Sequence, residues 1–321
     1  MLAVYATDID REDPLRGLEI GGRPEPEVPA GFTTVTVRAT SLNHHDLWSL
    51  RGVGLSREAL PMILGCDAAG VDEDGNEVVV HSVITSDSWL GDETLDPRRS
   101  ILSERFQGTF AERVAVPRRN LVAKPPELSF EEAACLPTAW LTAYRMLFTR
   151  AGLLPGTTVL VQGATGGVAT ALISLGSAAG IRVWVTSRAE AKREEAVALG
   201  ADQAFEPGAR LPERVDAVME TVGEATWGHS VRSLKPGGTI VVAGTTSGDA
   251  PPAELRRIFF LQLSVVGSTM GTREELERLI QLCVRRDVHP TIQMSLPLRE
   301  ARRGFQTMLA GGMHGKIVFT P

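Results

Sequence analysis

The residues of this chain best placed to do chemistry are Ala164-Thr165-Gly166-Gly167-Val168-Ala169, directly behind the apolar run Thr157–Gly163 and opening onto Thr170–Leu175. Strand, small-residue turn and helix in that order build a pyrophosphate site. Small residues let the backbone come close to the phosphates, and the helix N-terminus offers unpaired N–H groups at the positive end of its dipole. In a chain with 32 glycines, it is the strand-to-helix setting that gives the turn meaning. The expectation is a dinucleotide, bound through Ala164, Thr165, Gly166, Gly167 and Val168.

The next strand should end about 20 residues past the glycines, where an acidic residue would bond the ribose 2′-hydroxyl of NAD. Here the strand ends Val185-Thr186-Ser187-Arg188, with no Asp or Glu at its tip, and Lys192 follows. A hydroxyl and two cations suit a 2′-phosphate, so Ser187, Arg188 and Lys192 favour NADP(H) over NAD(H). A second reading stands beside it. Ser187 and Glu190 also have capping-box spacing, which would make Arg188 and Lys192 a solvated helix face.

These residues need a scaffold, and the chain supplies two kinds. Up to about Pro126 it reads as short β runs (Thr33–Ala39, Glu77–Val83, Ala111–Pro117) punctuated by Gly, Pro and Asp, the pattern of an irregular, barrel-like β domain. Ser129 and Glu132 form a capping box before a helical stretch that Pro137 interrupts. After Pro155-Gly156, strands at Val159–Gln162, Arg182–Thr186, Asp216–Glu220, Thr239–Ala243 and Leu263–Gly267 alternate with helices, beginning with Gly167 to about Gly180 and one ending at Leu199-Gly200. Such alternation predicts a doubly wound parallel sheet. An amphipathic helix at Arg273–Arg286 and a strand at Lys316–Phe319 close the chain.

Size and composition bound the rest. The 321 residues predict two domains, and 43% hydrophobic with 22% charged residues is ordinary for a soluble protein. A net charge of −6 argues against a nucleic-acid or anionic-membrane surface. No apolar stretch approaches the roughly 18 residues of a membrane helix, and the N-terminus lacks the pattern of an export signal. Three widely spaced cysteines (Cys66, Cys135, Cys283) fit a reducing, cytoplasmic setting.

Several further segments carry a resemblance: Thr40-Ser41-Leu42-Asn43-His44-His45-Asp46-Leu47-Trp48, Ile63–Val71, Gln107–Glu112, Leu136–Ala143, Leu199–Asp202 and Gly315–Val318. In this order they resemble medium-chain dehydrogenases/reductases, within them the quinone oxidoreductase branch and its zinc-type alcohol dehydrogenase relatives. The resemblance implies an α/β protein: a GroES-like β-rich catalytic domain over residues 1–140 and 272–321, and a Rossmann domain over 141–271. It also implies a homodimer through the edge strand around Leu263–Thr269 and a small-molecule substrate.

Two departures from the family matter. Members with a structural zinc carry four closely spaced cysteines, whereas residues 86–107 hold none. The catalytic zinc uses a Cys, a His and a second Cys or Asp, and Asn43, Cys66 and Ala139 stand at those positions. Cys135, one helical turn earlier, matches a position that is not a ligand. The resemblance therefore implies that both zinc sites are absent. The alternative is a rearranged site from Cys66, Asp67 and His44 or His45, where adjacent histidines in an extended segment would face opposite ways.

Without a Lewis acid, simple alcohol oxidation is hard, whereas a quinone or α,β-unsaturated carbonyl still accepts hydride, because conjugation carries the charge to an oxygen. The expected activity is hydride transfer from NADPH to such an acceptor. Asn43 is expected to orient the nicotinamide or the acceptor oxygen, Trp48 to stack on a flat acceptor, and Asp67 to organise the cleft. Trp48 replaces the Tyr of many relatives and has no phenolic proton. Cys66 reads as a small buried residue, and His44, His45 and His81 as structural, with His44 or His45 as the alternative proton donor. On the cofactor side the resemblance adds Thr142, with Lys316 near the mouth of the site, while Val222, Gly244, Thr245, Gly267, Ser268 and Thr269 follow strands of the predicted sheet and line the crevice beyond their carboxyl ends. Two other functions remain open: an alcohol or aldehyde dehydrogenase with altered zinc ligands, and a non-catalytic NADPH-binding sensor.

Overall fold

In the computed structural model, which describes residues 1–321, Met1–Leu141 and Met270–Pro321 form one compact unit and Thr142–Thr269 a second. The first unit begins with β1 (Leu2–Ala6), β2 (Leu18–Gly22) and β3 (Phe32–Ser41), followed by α1 (His44–Leu50). Next come β4 (Met62–Ile63), β5 (Ala68–Asp72), β6 (Glu77–Val80), β7 (Val83–Ile84), β8 (Ser100–Ile101), β9 (Arg113–Pro117) and β10 (Leu121–Ala123). The expected run Glu77–Val83 breaks at His81-Ser82. There the Asn120 side-chain amide donates to the carbonyls of His81 and Val83, so a side chain takes over from the strand ladder.

Ser129 caps α2 (Phe130–Ala134) with Glu132 as its capping-box partner. Pro137 does not end the helical stretch. The chain widens by one residue, Leu141 N–H donating to the Leu136 carbonyl, and continues as α3 (Leu141–Tyr144).

The second unit holds β11 (Thr158–Gln162), α4 (Gly167–Ala178), β12 (Arg182–Thr186), α5 (Glu190–Ala198), β13 (Gln203–Phe205), β14 (Val215–Glu220), α6 (Glu224–Ser233), β15 (Leu234–Val242), α7 (Leu255–Phe260) and β16 (Ser264–Gly267). Its strands are all parallel in the order β13-β12-β11-β14-β15-β16, the doubly wound arrangement. Apolar side chains fill the strands, all five residues of β11 being buried, as a sheet covered on both faces requires. Gly176 of α4 lets the helix close on the sheet, since a Cβ there would lie 2.7 Å from Val183 Cγ2.

The chain then returns to the first unit as α8 (Arg273–Arg286), β17 (Ile292–Pro297), α9 (Ala301–Leu309) and β18 (Lys316–Thr320). β18 pairs antiparallel with the end of β3, Val318 facing Ser41 and Phe319 facing Thr40, within the sheet β10-β6-β5-β3-β18-β17 that β9 extends at β3. Beneath this junction Phe110 meets Phe319 edge-on at 5.2 Å between ring centres, among buried Leu42, Leu47, Leu50 and Phe305. The fold is thus mixed α/β, a GroES-like β-rich unit with a Rossmann-type parallel sheet. No helix is long and apolar enough to cross a membrane.

Candidate active site

In the second unit the turn after β11 is built on Gly163, whose φ of +104° suits glycine alone. Gly166 is the N-cap of α4 and supplies no side-chain cap, so the first N–H groups of a twelve-residue helix stay free. A Cβ at Gly166 would meet nothing within 4 Å, so the turn faces open space. Ala164 and Thr165 are buried beneath it, while Gly166, Gly167 and Val168 are partly exposed. These residues suit a dinucleotide pyrophosphate.

The neighbouring strand ends are tied to this turn. Gln162 accepts a hydrogen bond from Thr186 Oγ1 at 2.7 Å and donates to Ser230 Oγ at 3.0 Å, joining β11, β12 and α6. At the tip of β14 the buried Glu220 carboxylate accepts from the N–H groups of Val222 and Gly223 and from the hydroxyls of Thr226 and Ser230. It replaces the missing cap of α6 and fixes the loop carrying Val222. Gly244 and Thr245 follow β15, and Gly267, Ser268 and Thr269 end and follow β16 on the same side of the sheet. Gly267 is held there by Arg150, whose Nε donates to its carbonyl at 2.9 Å. Thr142, buried, lies in α3.

After β12, Ser187 is half-buried and Arg188 exposed. The capping reading of Ser187 is overturned: α5 starts at Glu190 and its N-cap is Ala189, which makes no side-chain cap. Arg193, which the sequence did not single out, holds this loop, its Nη1 donating to the carbonyls of Ser187 at 2.8 Å and Arg188 at 3.2 Å. Ser187, Arg188 and the half-buried Lys192 thus lie along the tip of β12 and the start of α5.

In the first unit, a polar cluster forms where β3 ends, α1 begins and β18 docks. Asp67 is fully buried, and its Oδ2 accepts from Ser41 Oγ at 2.6 Å and Asn43 Nδ2 at 2.8 Å, with Lys316 Nζ 3.5 Å away. Lys316 Nζ also donates to Asn43 Oδ1 at 2.6 Å and to the Leu42 carbonyl at 2.9 Å. Lys316 is 2% exposed, so it is an interior cation, contrary to the position at the mouth implied by the resemblance. The register of β18 on β3 puts it there. Both ends of the Asn43 amide are engaged, its Nδ2 also donating to the Ser41 carbonyl at 3.2 Å. Trp48 is half-buried, with the Arg51 guanidinium 5.3 Å above its ring.

His44 and His45 are not in an extended segment, as the sequence reading had them; they open α1, with Asn43 as N-cap. Asp46, passed over in the sequence, is the reciprocal partner: its Oδ2 accepts from Asn43 N–H at 2.8 Å and its Oδ1 from Gly65 N–H at 3.1 Å. The spacing Asn43-x-x-Asp46 was the signal for it. Burial pushes the Asp46 carboxyl up to about 6 from its ordinary 3.8. Its contribution to stability is therefore complete below the unfolded value and lost as pH rises through about 6. Asp46→Asn abolishes that titration. Relative to the parent, the variant should gain about 3 kcal/mol between about pH 4 and pH 7, read by chemical denaturation. A gap between the two proteins that stays constant with pH would show that Asp46 does not titrate there.

The donor set for a metal is uneven. Ala139 offers no ligand atom, and the Asn43 amide is engaged by Lys316 and Asp67. His45, Asp46 and Cys66 bring ligand atoms within 4.8 Å of one another, so Asp46 rather than Asp67 completes the three-residue group. Both Asp46 oxygens already serve backbone N–H groups, and an ammonium stands in the same cluster. This is a poor match to a divalent cation.

Residues 29–126 match the alcohol dehydrogenase GroES-like domain and residues 167–285 the zinc-binding dehydrogenase domain. The crystal structure of an NAD-dependent alcohol dehydrogenase superposes with a TM-score of 0.90 at 32% identity, all of both chains being covered. Acryloyl-coenzyme A reductase of Metallosphaera sedula is 28% identical over 95% of this chain and 97% of its own. The 2-octenoyl-CoA carboxylase reductase CinF, solved in complex with NADP and 2-octenoyl-CoA, superposes with a TM-score of 0.90 at 25% identity over 99% of this chain and 87% of that one. With both domains matched in sequence and the whole length matched in structure, the chain belongs to the medium-chain dehydrogenase/reductase superfamily and is an oxidoreductase.

Proposed function

We propose that this oxidoreductase works without zinc and reduces a quinone or an α,β-unsaturated carbonyl with NADPH. The observation that carries the reading is Lys316: its ammonium lies on Asn43 and beside Asp67, in the cluster where the family keeps its metal. A fixed cation held by a neutralising carboxylate leaves little reason for a second, divalent one. Activated acceptors need less electrophilic help than simple alcohols or ketones, and the relatives named for acryloyl-CoA and 2-octenoyl-CoA favour conjugated carbonyls. The nicotinamide, when bound, supplies the hydride.

In this reading the free N–H groups of α4 hold the pyrophosphate, and Ser187, Arg188 and Lys192 hold the 2′-phosphate. Thr142, Val222, Gly244, Thr245, Gly267, Ser268 and Thr269 line the cofactor. Asp67 and Lys316 act as positioning residues on Asn43, which replaces the direct acceptor contact expected of Asn43. The relative named NAD-dependent means that cofactor choice rests on this chain's own residues.

The test is metal analysis combined with NADPH oxidation over a panel of quinones, enones, enoyl thioesters and aldehydes. Turnover of the conjugated acceptors that survives chelation is expected. About one zinc per chain, lost together with activity, would instead favour the altered-ligand alcohol dehydrogenase. Binding of NADPH with no turnover would favour the sensor. A homodimer through β16 belongs to the same proposal: Val265 on that edge strand is 47% exposed, and Phe259 and Phe260 of α7 are 70% and 76% exposed. Sedimentation at the mass of a single 34.5 kDa chain would sink it.

A further inference from the structure

We propose that His45, held by Glu104, is the proton donor of the reduction; this rests on the reductase reading above. His45 Nε2 lies 3.3 Å from Glu104 Oε1, with the two side chains 18% and 21% exposed. Glu104 is itself fixed, its Oε2 accepting from Ile101 N–H at 2.9 Å and from Ser100 Oγ at 3.4 Å. The other imidazole nitrogen, Nδ1, is buried with no hydrogen-bond partner, a costly state for a polar atom that a reacting group would relieve. One nitrogen is anchored to a carboxylate and the other is unoccupied, which is the arrangement of an oriented general acid.

The groups around it leave His45 as the donor. Glu104 faces it from the loop after β8, Asp46 from its own helix, and Cys66 and Asp67 from the segment leading into β5. Asp46 is committed to two N–H groups, and Cys66 is a fully buried thiol. Lys316 is engaged by three acceptors. His44 is exposed at the start of α1, where desolvation of its ring and the cations of Lys316 and Arg51 lower its pKa from the ordinary 6.5, and His81 Nε2 is spent on the Gly271 carbonyl. Burial alone would also lower His45, but the Glu104 hydrogen bond and the nearby carboxylates outweigh it and raise its pKa. Glu104 moves the opposite way, as an ion pair requires: burial raises it, and the His45 and Ile101 hydrogen bonds more than offset that.

The step balances. Hydride from NADPH adds to the β-carbon of the acceptor, and the π electrons of the C=C bond move toward the carbonyl oxygen. The Nδ1 proton then bonds to the α-carbon. NADPH is oxidised and the acceptor reduced, while the His45 imidazolium gives up its Nδ1 proton and is left as neutral imidazole, its Nε2–H on Glu104, until a proton from water restores the cation.

The test uses the full-length protein with 3-buten-2-one and NADPH, and NMR titration of the histidines without cofactor. In the parent, His45 (assigned by its loss in His45→Gln) should titrate above the ordinary 6.5, and Glu104→Gln should bring it down. His45→Gln should lower kcat by about 100-fold or more and remove the alkaline limb of its pH profile, with NADPH binding unchanged; Glu104→Gln should shift that limb to lower pH. A His45→Gln enzyme with parental kcat and pH limb, or a parent His45 titrating below 6.5, overturns the donor role alone. Should His45→Gln fail to fold, Glu104→Gln still reads the limb, and an unshifted limb overturns the proposal. A parent that turns over none of the conjugated acceptors, neither this enone nor a quinone nor an enoyl thioester, overturns the reductase reading, and the donor role with it.

Discussion

Lys316→Met should lower the unfolding free energy by about 3–5 kcal/mol, the usual cost of removing one partner of a buried ion pair. Methionine keeps most of the volume and the apolar stem, so the loss is electrostatic. Asp67, fully buried, would keep its Ser41 and Asn43 donors but lose the ammonium beside its Oδ2. Its Oδ1 already lacks a partner, so little reserve remains to solvate the charge. Asn43 Oδ1 and the Leu42 carbonyl would lose a donor as well. Asp67→Asn on top of Lys316→Met should recover much of the stability, because it removes the stranded charge. Urea denaturation of the two single variants and the double variant measures the coupling; additive effects, with no recovery, would mean that Lys316 and Asp67 act independently. Turnover should fall in Lys316→Met and stay low in the double variant, since neither restores the fixed Asn43 amide.

How much of this was visible in the sequence follows from how local each feature is. The turn at Gly163–Gly167 is a matter of neighbouring residues: a left-handed glycine, an uncapped helix start and an apolar strand, all within ten positions. It was legible, and so were the strand ends that carry Ser187, Val222, Gly244 and Gly267. The β18 strand was legible as a strand, but not where it docks. Its pairing joins Val318 to Ser41 across most of the chain, and that register alone turns Lys316 from a surface candidate into the cation beneath Asn43. Burial set by non-local pairing leaves no mark on composition.

The histidines show a different limit. His44 and His45 have modest helix propensity and so read as extended, but the helix is set by its cap, Asn43 with Asp46, and by Leu47 and Leu50 packing into the core. Placing His45 in the first turn also brings it to Glu104, a residue in a loop with no periodicity to announce it. Arg193 escaped for the same reason as Glu104: its role is to bind backbone carbonyls across a loop, which any arginine on a helix could do.

Arg188→Ala should raise the dissociation constant for NADPH by roughly 10- to 150-fold and that for NADH by about twofold or less, from the 1.5–3 kcal/mol of a hydrogen bond to a charged group. The argument starts at the tip of β12. An NAD site would place a carboxylate there to bond the ribose hydroxyls, and here Thr186, Ser187 and Arg188 occupy the position with no acid among them. Arg193 fixes the Ser187 and Arg188 carbonyls, so the loop is shaped before any ligand arrives and the arginine loses only side-chain freedom on binding. The exposed guanidinium can meet a 2′-phosphate with two donors at once, which a lone hydroxyl cannot repay. Lys192, in the first turn of α5, adds charge without that geometry, so Lys192→Ala should cost NADPH less than Arg188→Ala does. Fluorescence titration with both cofactors decides the matter: equal effects of Arg188→Ala on NADPH and NADH would make this residue part of a solvated helix face and return the choice of cofactor to other residues.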